Sequence, residues 1–291
     1  MEIALAHNGV VINADAMQVY RDLAIVTARP SAADMETVPH ALFGHVDGSI
    51  AFSVAAWLDD AAAAIARARG EGKLPILVGG TGLYLAALTE GLSAIPPVPE
   101  AVRAHWRARQ ADEPAPALHA ELARRDPDMA ARLRPSDPQR IVRALEVIDA
   151  TGRSLAQWQG ERTAPHLPLG PGTVGLVLTP ERALLRRRIA ERFDLMMEEG
   201  AGDEVAALAA RDLDPSLPIM KAIGVPPLLA LSRGEIDEAA AVARAVTDSR
   251  QYAKRQDTWF RHRFADWSRH ASADSAAAHL AARWAEAGRA G

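Results

Sequence analysis

The 291-residue chain has no cysteine, which excludes disulfides and thiolate metal sites. Lysine is nearly absent as well. It stands only at Lys73, Lys221 and Lys254, so arginine supplies almost all the positive charge. Arginine suits bidentate contact with phosphate, although the abundant alanine makes a bias of genome composition an equal reading. No apolar run approaches a membrane span, and the longest candidate, residues 50–65, is broken by Asp59 and Asp60. No basic segment followed by an apolar stretch opens the chain, so no secretory signal is read and a cytoplasmic location is the expectation. A net charge of −4 argues against a uniformly basic nucleic-acid binder. Apolar content of 49% and charged content of 24% are ordinary for a globular protein.

What is present has the order of an α/β protein. Residues 1–7 read as the tail of a helix stopped by Asn8-Gly9. Val10 to Ile12 is a short apolar run typical of a buried strand, and Leu74-Pro-Ile-Leu-Val78 is another. Between them, residues 53–69 have helical spacing and end at Gly70 and Gly72. The second run enters Gly79-Gly80-Thr81-Gly82 and then a helical stretch, which is the strand–turn–helix unit of a parallel sheet. From residue 100 to about 160 the pattern is wholly helical. Asp126-Pro127 and Asp137-Pro138 each place a capping residue before a first-turn proline. Residues 173–178 return to strand character. This predicts an α/β core in two parts, 1–95 and 165–291, around an inserted all-helical domain, 96–164. Further helices are predicted over 181–210, over 235–264 and beyond Ala271, with residues 214–227 as loop.

Four groups of residues carry possible chemistry, and each has a plainer reading. Asp15 follows the first strand, where ligands bind in open α/β sheets, and Asn13, Gln18 and Arg21 crowd the same turn. It is a candidate general base or a turn-capping Asp. The Gly79–Gly82 turn can present amides and a hydroxyl to an anion, or simply make a tight connection. Arg188 and Arg192, one helical turn apart, can clamp a diphosphate or lie on a salt-bridged face with Glu181, Glu191 and Asp194. Residues 244–269 hold seven Lys/Arg against three Asp, a local excess of four. Within them, Tyr252-Ala-Lys-Arg-Gln-Asp-Thr-Trp-Phe-Arg261 mixes basic, amide and aromatic side chains as RNA-binding surfaces do. Alternatively, its Trp259, Phe260 and Phe264 face the core.

Taken together and in order, these segments resemble the tRNA dimethylallyltransferase family, also called tRNA isopentenyltransferases. The resemblance rests on Asn13-Ala-Asp-Ala-Met-Gln-Val-Tyr-Arg21, Thr27-Ala-Arg-Pro30, Val38-Pro-His40 and Leu77-Val-Gly-Gly-Thr-Gly-Leu-Tyr84. It continues through Asp137-Pro-Gln-Arg-Ile-Val-Arg-Ala-Leu-Glu-Val147, Met220-Lys-Ala-Ile-Gly224 and Ala253-Lys-Arg-Gln-Asp-Thr-Trp-Phe-Arg261. It spans nearly the whole chain. Ala16 stands where the family has Ser, Val26 where it has Gly, and Val225-Pro226-Pro227 replaces a Tyr-containing helix start. The family's first strand and its Gly-Pro-Thr-Ala-Ser-Gly-Lys-Ser/Thr phosphate loop have no counterpart between Met1 and Asn8.

The resemblance implies a P-loop-NTPase-like parallel-sheet core, here without its first strand and phosphate loop, carrying a helical insertion. It implies transfer of a dimethylallyl group from dimethylallyl diphosphate to N6 of the adenosine beside the anticodon of tRNA. Asp15, Thr81 and Arg192 are then the catalytic set, with Gly79, Gly80, Thr81, Arg188 and Arg192 toward the diphosphate. The tRNA anticodon stem-loop would meet Asp15, Ala16, Met17, Gln18, Gly82, Arg103, Gln139, Arg140, Ile141, Val142 and Arg143. It would also meet Met220, Lys221, Lys254, Arg255, Gln256, Trp259 and Arg261. Mg²⁺ is the implied cofactor, with its usual protein ligand in the phosphate loop, and a monomer is implied. The residues by themselves contribute no metal cluster. Without the loop, this chain is expected to be a poor catalyst. Two alternatives stay open: an enzyme that prenylates free adenine nucleotides, and a non-catalytic RNA-binding remnant.

Overall fold

In the computed structural model, residues 1–170 and 172–287 are described. They form two compact units, one of residues 1–89 with 167 onward, the other of residues 90–166. The sequence reading placed the boundaries at 96 and 164. The helical unit begins earlier because Thr163 binds back to Leu92: its N–H donates to the Leu92 carbonyl at 2.9 Å and its Oγ1 accepts from the Leu92 N–H at 3.1 Å.

The α/β unit has the parallel-sheet core that the resemblance implies. Strands β1 (Gly9–Asn13), β2 (His40–Ala41) and β3 (Leu74–Val78) pair in the order β2-β1-β3, all parallel. β4 (Leu176–Leu178) pairs in parallel with β5 (Ser268–His270) in a separate two-stranded sheet. Every residue of β1 is buried, which explains why it reads as an unbroken apolar run. The helix Val54–Gly70 is capped by Ser53 Oγ, which accepts from the Ala56 N–H at 3.1 Å, and it buries Trp57, Leu58, Ala61, Ile65 and Ala68.

β3 and β4 both line one large apolar cavity of about 1310 Å³. Residues 74 and 78 of β3 bond to Asn8 and Ala14 at the two ends of β1, so by alternation the main chain of Pro75 and Leu77 points to the other side, where β3 has no neighbouring strand among the described residues. Pro75 is tolerated there because no ladder bond needs its missing N–H. Thr179 bonds to β5, which leaves Leu176 and Leu178 on the free edge of β4. Val78 is 51% and Leu178 56% exposed. Bare apolar edges recruit other chains. We expect concentration-dependent association by light scattering, reduced by Leu178→Lys. Equal scattering from both proteins would refute this.

Four stretches depart from the sequence reading. The helix expected over 181–210 is two, Arg182–Glu198 and Ala201–Ala209, because Gly200 takes φ +97° between them. The stretch 214–227 is not all loop: a 3₁₀ turn spans Pro218–Lys221, and the helix Val225–Ser232 begins with two prolines. There, first-turn prolines cost no helical hydrogen bond. Strand character over 173–178 narrows to three residues, and β5 escaped a reading that saw only helix nearby. Among the described residues no helix is long and apolar enough to cross a membrane.

The helical unit, residues 90–166, packs Trp106, Leu118, Leu122, Ile141, Leu145 and Val147 into its own core. Asp126 and Asp137 cap their helices as the Asp-Pro pairs predict, accepting from the N–H groups of Met129 at 3.0 Å and Arg140 at 3.2 Å. Trp106 donates to Asp149 at 3.0 Å, with Arg109 and Arg125 over its ring.

Candidate active site

The site grows from the carboxyl end of β1. Asn13 is fully buried, and all its polar groups are used. Its Nδ2 donates to the carbonyls of Asp15 at 2.9 Å and Leu42 at 3.0 Å, and its Oδ1 accepts from the Asp15 N–H at 2.8 Å. Trp57 donates its indole N–H to the Asn13 carbonyl at 2.9 Å. The backbone at Asp15 is thus pinned from three sides before its side chain is considered. Asp15 Oδ1 accepts from the N–H of Met17 at 2.8 Å and, more weakly, of Gln18 at 3.4 Å. Its other carboxylate oxygen has no hydrogen-bond partner among the described residues. The turn-capping reading is therefore correct for one oxygen, and the second is available for chemistry.

The glycine-rich turn after β3 packs directly on this backbone. A Cβ at Gly79 would lie 2.2 Å from the carbonyl carbon and oxygen of Ala14. The Thr81 N–H donates to the Ala14 carbonyl at 3.2 Å, and Thr81 Oγ1 accepts from the Ala16 N–H at 2.9 Å. The Thr81 amide is therefore spent on the scaffold and is not offered to an anion. Across the turn lies the basic helix Glu238–Arg263. Its Gln256 donates to the Gly80 carbonyl at 2.9 Å, and the Trp259 ring lies where a Cβ on Gly82 would be. Trp259, Phe260 and Phe264 cluster edge-on or tilted, and the core-facing reading holds for the buried Phe260 and Phe264, while Trp259 is half-buried.

Tyr252, one turn before Gln256, completes the wall. Burial, with the nearby Asp15 carboxylate adding to it, raises the pKa of its phenol, and the neighbouring Thr81 and Gln256 side chains offset part of the rise. It stays protonated and able to donate. Tyr84, stacked on Trp57 at 4.3 Å, is likewise pushed up by burial, then by Tyr20 and Asp15. The spacing of residues 252, 256 and 259 on one helix face was the signal for Tyr252.

Arg188 and Arg192 are exposed on the helix Arg182–Glu198, and neither has an ion-pair partner among the described residues. Arg182 and Arg186 of the same helix, unremarked as a pair in the sequence, line the cavity with Gly79, Gly80, Arg250 and Lys254. Lys254, Arg255 and Arg261 are exposed; Arg255 lies 5.6 Å over the Tyr252 ring and Arg261 pairs with Asp257 at 2.7 Å. Met220 is half-buried and Lys221 exposed on the 3₁₀ turn. The neighbouring Gly224 makes room for Val26, whose Cγ1 would be 3.0 Å from a Cβ there.

In the separate helical unit, Gln139, Arg140 and Arg143 are exposed. Arg140 pairs with Asp137 at 3.5 Å and Arg143 with Glu146 at 3.3 Å. Arg103 is half-buried, with an Nε lacking a partner. Ile141 and Val142 must be removed from the RNA-facing set. They are 0% and 5% exposed within the helical core, because the apolar stripe of an amphipathic helix turns inward.

Mg²⁺ can be tested against these donors. Among the described residues no three His, Cys, Asp or Glu side chains gather around one point. At the site Asp15 is the one carboxylate in the turn, with one oxygen already on two amides, and Thr81 Oγ1 is engaged. These residues do not fit a protein-held Mg²⁺.

A match to the IPP transferase family covers residues 18–263. The chain belongs to the IPP transferase family. A tRNA dimethylallyltransferase of Beijerinckia indica is 54% identical over 268 residues, 92% of this chain and 88% of the relative. Among solved structures, a tRNA isopentenylpyrophosphate transferase of Bacillus halodurans is 34% identical with a TM-score of 0.67, covering 99% of this chain and 92% of its own. A eukaryotic dimethylallyltransferase acting on tRNA is 28% identical with a TM-score of 0.71, covering 89% of this chain and 65% of its own. The matched residues of the IPP transferase family run from Gln18 through the glycine-rich turn and the whole of the basic helix.

Proposed function

We propose that the protein transfers a dimethylallyl group from dimethylallyl diphosphate to N6 of the adenosine adjacent to the anticodon, position 37, of tRNA, releasing diphosphate. The relatives support the reaction. The observation that carries the mechanism is Asp15, fixed at the end of β1 with one carboxylate oxygen uncommitted.

The exocyclic amine of adenine is a poor nucleophile because its lone pair is delocalised into the ring. As N6 bonds to the allylic carbon, the bond from that carbon to the diphosphate oxygen breaks and its electron pair leaves on the oxygen. The N6 proton passes to the free oxygen of Asp15. A positioned base of this kind contributes about 10²–10⁴-fold. Negative charge develops on the leaving group, where fixed positive charge counts most. Arg182, Arg186 and Lys254 line the approach to Gly79 and Gly80, and Arg188 and Arg192 stand unpaired on the same helix as the first two. No step is assigned to Mg²⁺. The target base must leave its stack to reach the carbon. Gln18 is placed to meet it, and the exposed Gln139, Arg140 and Arg143 offer the helical unit's own surface to the RNA backbone.

The test is a competition for radiolabelled dimethylallyl diphosphate between a synthetic anticodon stem-loop and AMP. Label on the stem-loop, in an adenosine released by nuclease digestion, is the expected outcome. Equal or preferred labelling of AMP would favour the free-nucleotide reaction instead.

A further inference from the structure

Glu204, on the helix Ala201–Ala209, is 186 residues beyond Gln18 in the sequence, yet the two meet the same short loop. The Glu204 carboxylate accepts from three successive backbone amides. Oε1 takes Ala24 N–H at 2.6 Å and Ile25 N–H at 2.9 Å, and Oε2 takes Val26 N–H at 2.9 Å. Consecutive amides curled in this way form an anion nest, and here the anion is a side chain of the protein itself. The loop closes on itself through Ala28 N–H to Ile25 and Arg29 N–H to Ala24, both at 2.9 Å, with Ala28 at φ +51°. That conformation aims the next carbonyls at Gln18, whose Nε2 donates to Thr27 at 2.8 Å and Ala28 at 3.1 Å. Both donors of the Gln18 amide are thereby occupied. Its Oε1 has no hydrogen-bond partner among the described residues, and the Gln18 backbone N–H donates to Asp15 Oδ1 at 3.4 Å.

We infer that Glu204 is a positioning residue: by clamping the 24–28 loop it fixes which end of the Gln18 amide faces the substrate. An amide held this way presents an acceptor, which suits an exocyclic amine and disfavours a ring carbonyl. This rests on the proposed reaction for its substrate, but the clamp itself is a property of the chain. With Glu204→Ala the nest loses its anion, the loop carbonyls are released and Gln18 is free to flip. Glu204→Gln keeps one strong acceptor and is expected to fall between.

The test has two arms. In the first, NMR follows hydrogen exchange of the Gln18 side-chain amide. We expect protection in the wild type, at least tenfold faster exchange in Glu204→Ala and partial protection in Glu204→Gln. In the second, stem-loop binding is measured by fluorescence anisotropy. Glu204→Ala and Gln18→Ala are each expected to weaken it up to about tenfold, the upper end of what loss of a hydrogen bond between neutral groups costs. The double variant should be no weaker than Gln18→Ala, because both changes act through one group. Unchanged Gln18 protection in Glu204→Ala overturns the inference, as do binding losses that multiply in the double variant. If the wild type binds no stem-loop, the proposed function fails and the exchange arm alone decides the clamp.

Discussion

Asp15→Asn is expected to lower the rate of dimethylallyl transfer about 10²–10⁴-fold, with little change in stem-loop affinity. The substitution is conservative in shape. An asparagine still presents Oδ1 to the amides of Met17 and Gln18, and Asn13 still holds the Asp15 backbone. What disappears is the ability to accept the N6 proton. At about 1.4 kcal/mol per decade, the loss corresponds to roughly 3–5 kcal/mol of transition-state stabilisation. Single-turnover kinetics with saturating stem-loop isolate the chemical step. A rate within about threefold of wild type would remove Asp15 from the role of base and leave it as the cap of its turn. Thr81→Val would then be the informative comparison, since the Thr81 hydroxyl supports the Asp15 turn through the Ala16 amide.

Gly79→Ala is expected to destabilise the protein by about 3 kcal/mol, at the upper end of what overpacking costs, and to abolish transfer with it. The new methyl would sit 2.2 Å from the Ala14 carbonyl carbon and oxygen and 2.7 Å from the Asp15 nitrogen. These are main-chain atoms, so no rotamer change relieves the clash. Either β3 or the Asp15 turn must move. Gly70→Ala is the matched control, because nothing lies within 4 Å of the position a Cβ would take there, and alanine is the better helix former. Urea unfolding followed by circular dichroism separates the two: the midpoint should fall by about 1 M or more for Gly79→Ala and stay or rise for Gly70→Ala. A Gly79→Ala protein with the wild-type midpoint would mean the turn is looser than the packing describes.

Much of this was readable from the chain alone because it depends on neighbours in sequence. Apolar runs that become β1 and β3, the caps Asp126 and Asp137, and the glycine-rich turn all follow local rules of propensity and capping, which act over four or five residues. The motifs also brought Asp15, Thr81, Gln18 and Gln256 forward, and the structure gathers them at one end of the sheet. The readings that failed depended on which way a face turns. Ile141 and Val142 sit inside a basic-looking motif, but Leu118, Leu122 and Trp106, far off in sequence, claim them for a core. Residues 181–210 look like one helix until a single Gly200 dihedral divides them.

The amino-acid sequence by itself determined the fold class, the helical insertion, the family and the identity of the carboxylate at the end of β1. Only the tertiary structure decided that Asp15 has one oxygen spent and one without a partner among the described residues, that the Thr81 amide serves the scaffold, that Tyr252 lies near Asp15, and that Glu204 holds the loop which binds Gln18. The physical reason is distance along the chain. Hydrogen bonds from Gln256 to Gly80, 176 residues apart, and from Ala24 to Glu204, 180 residues apart, are made only when packing brings the elements together, and no local pattern encodes them.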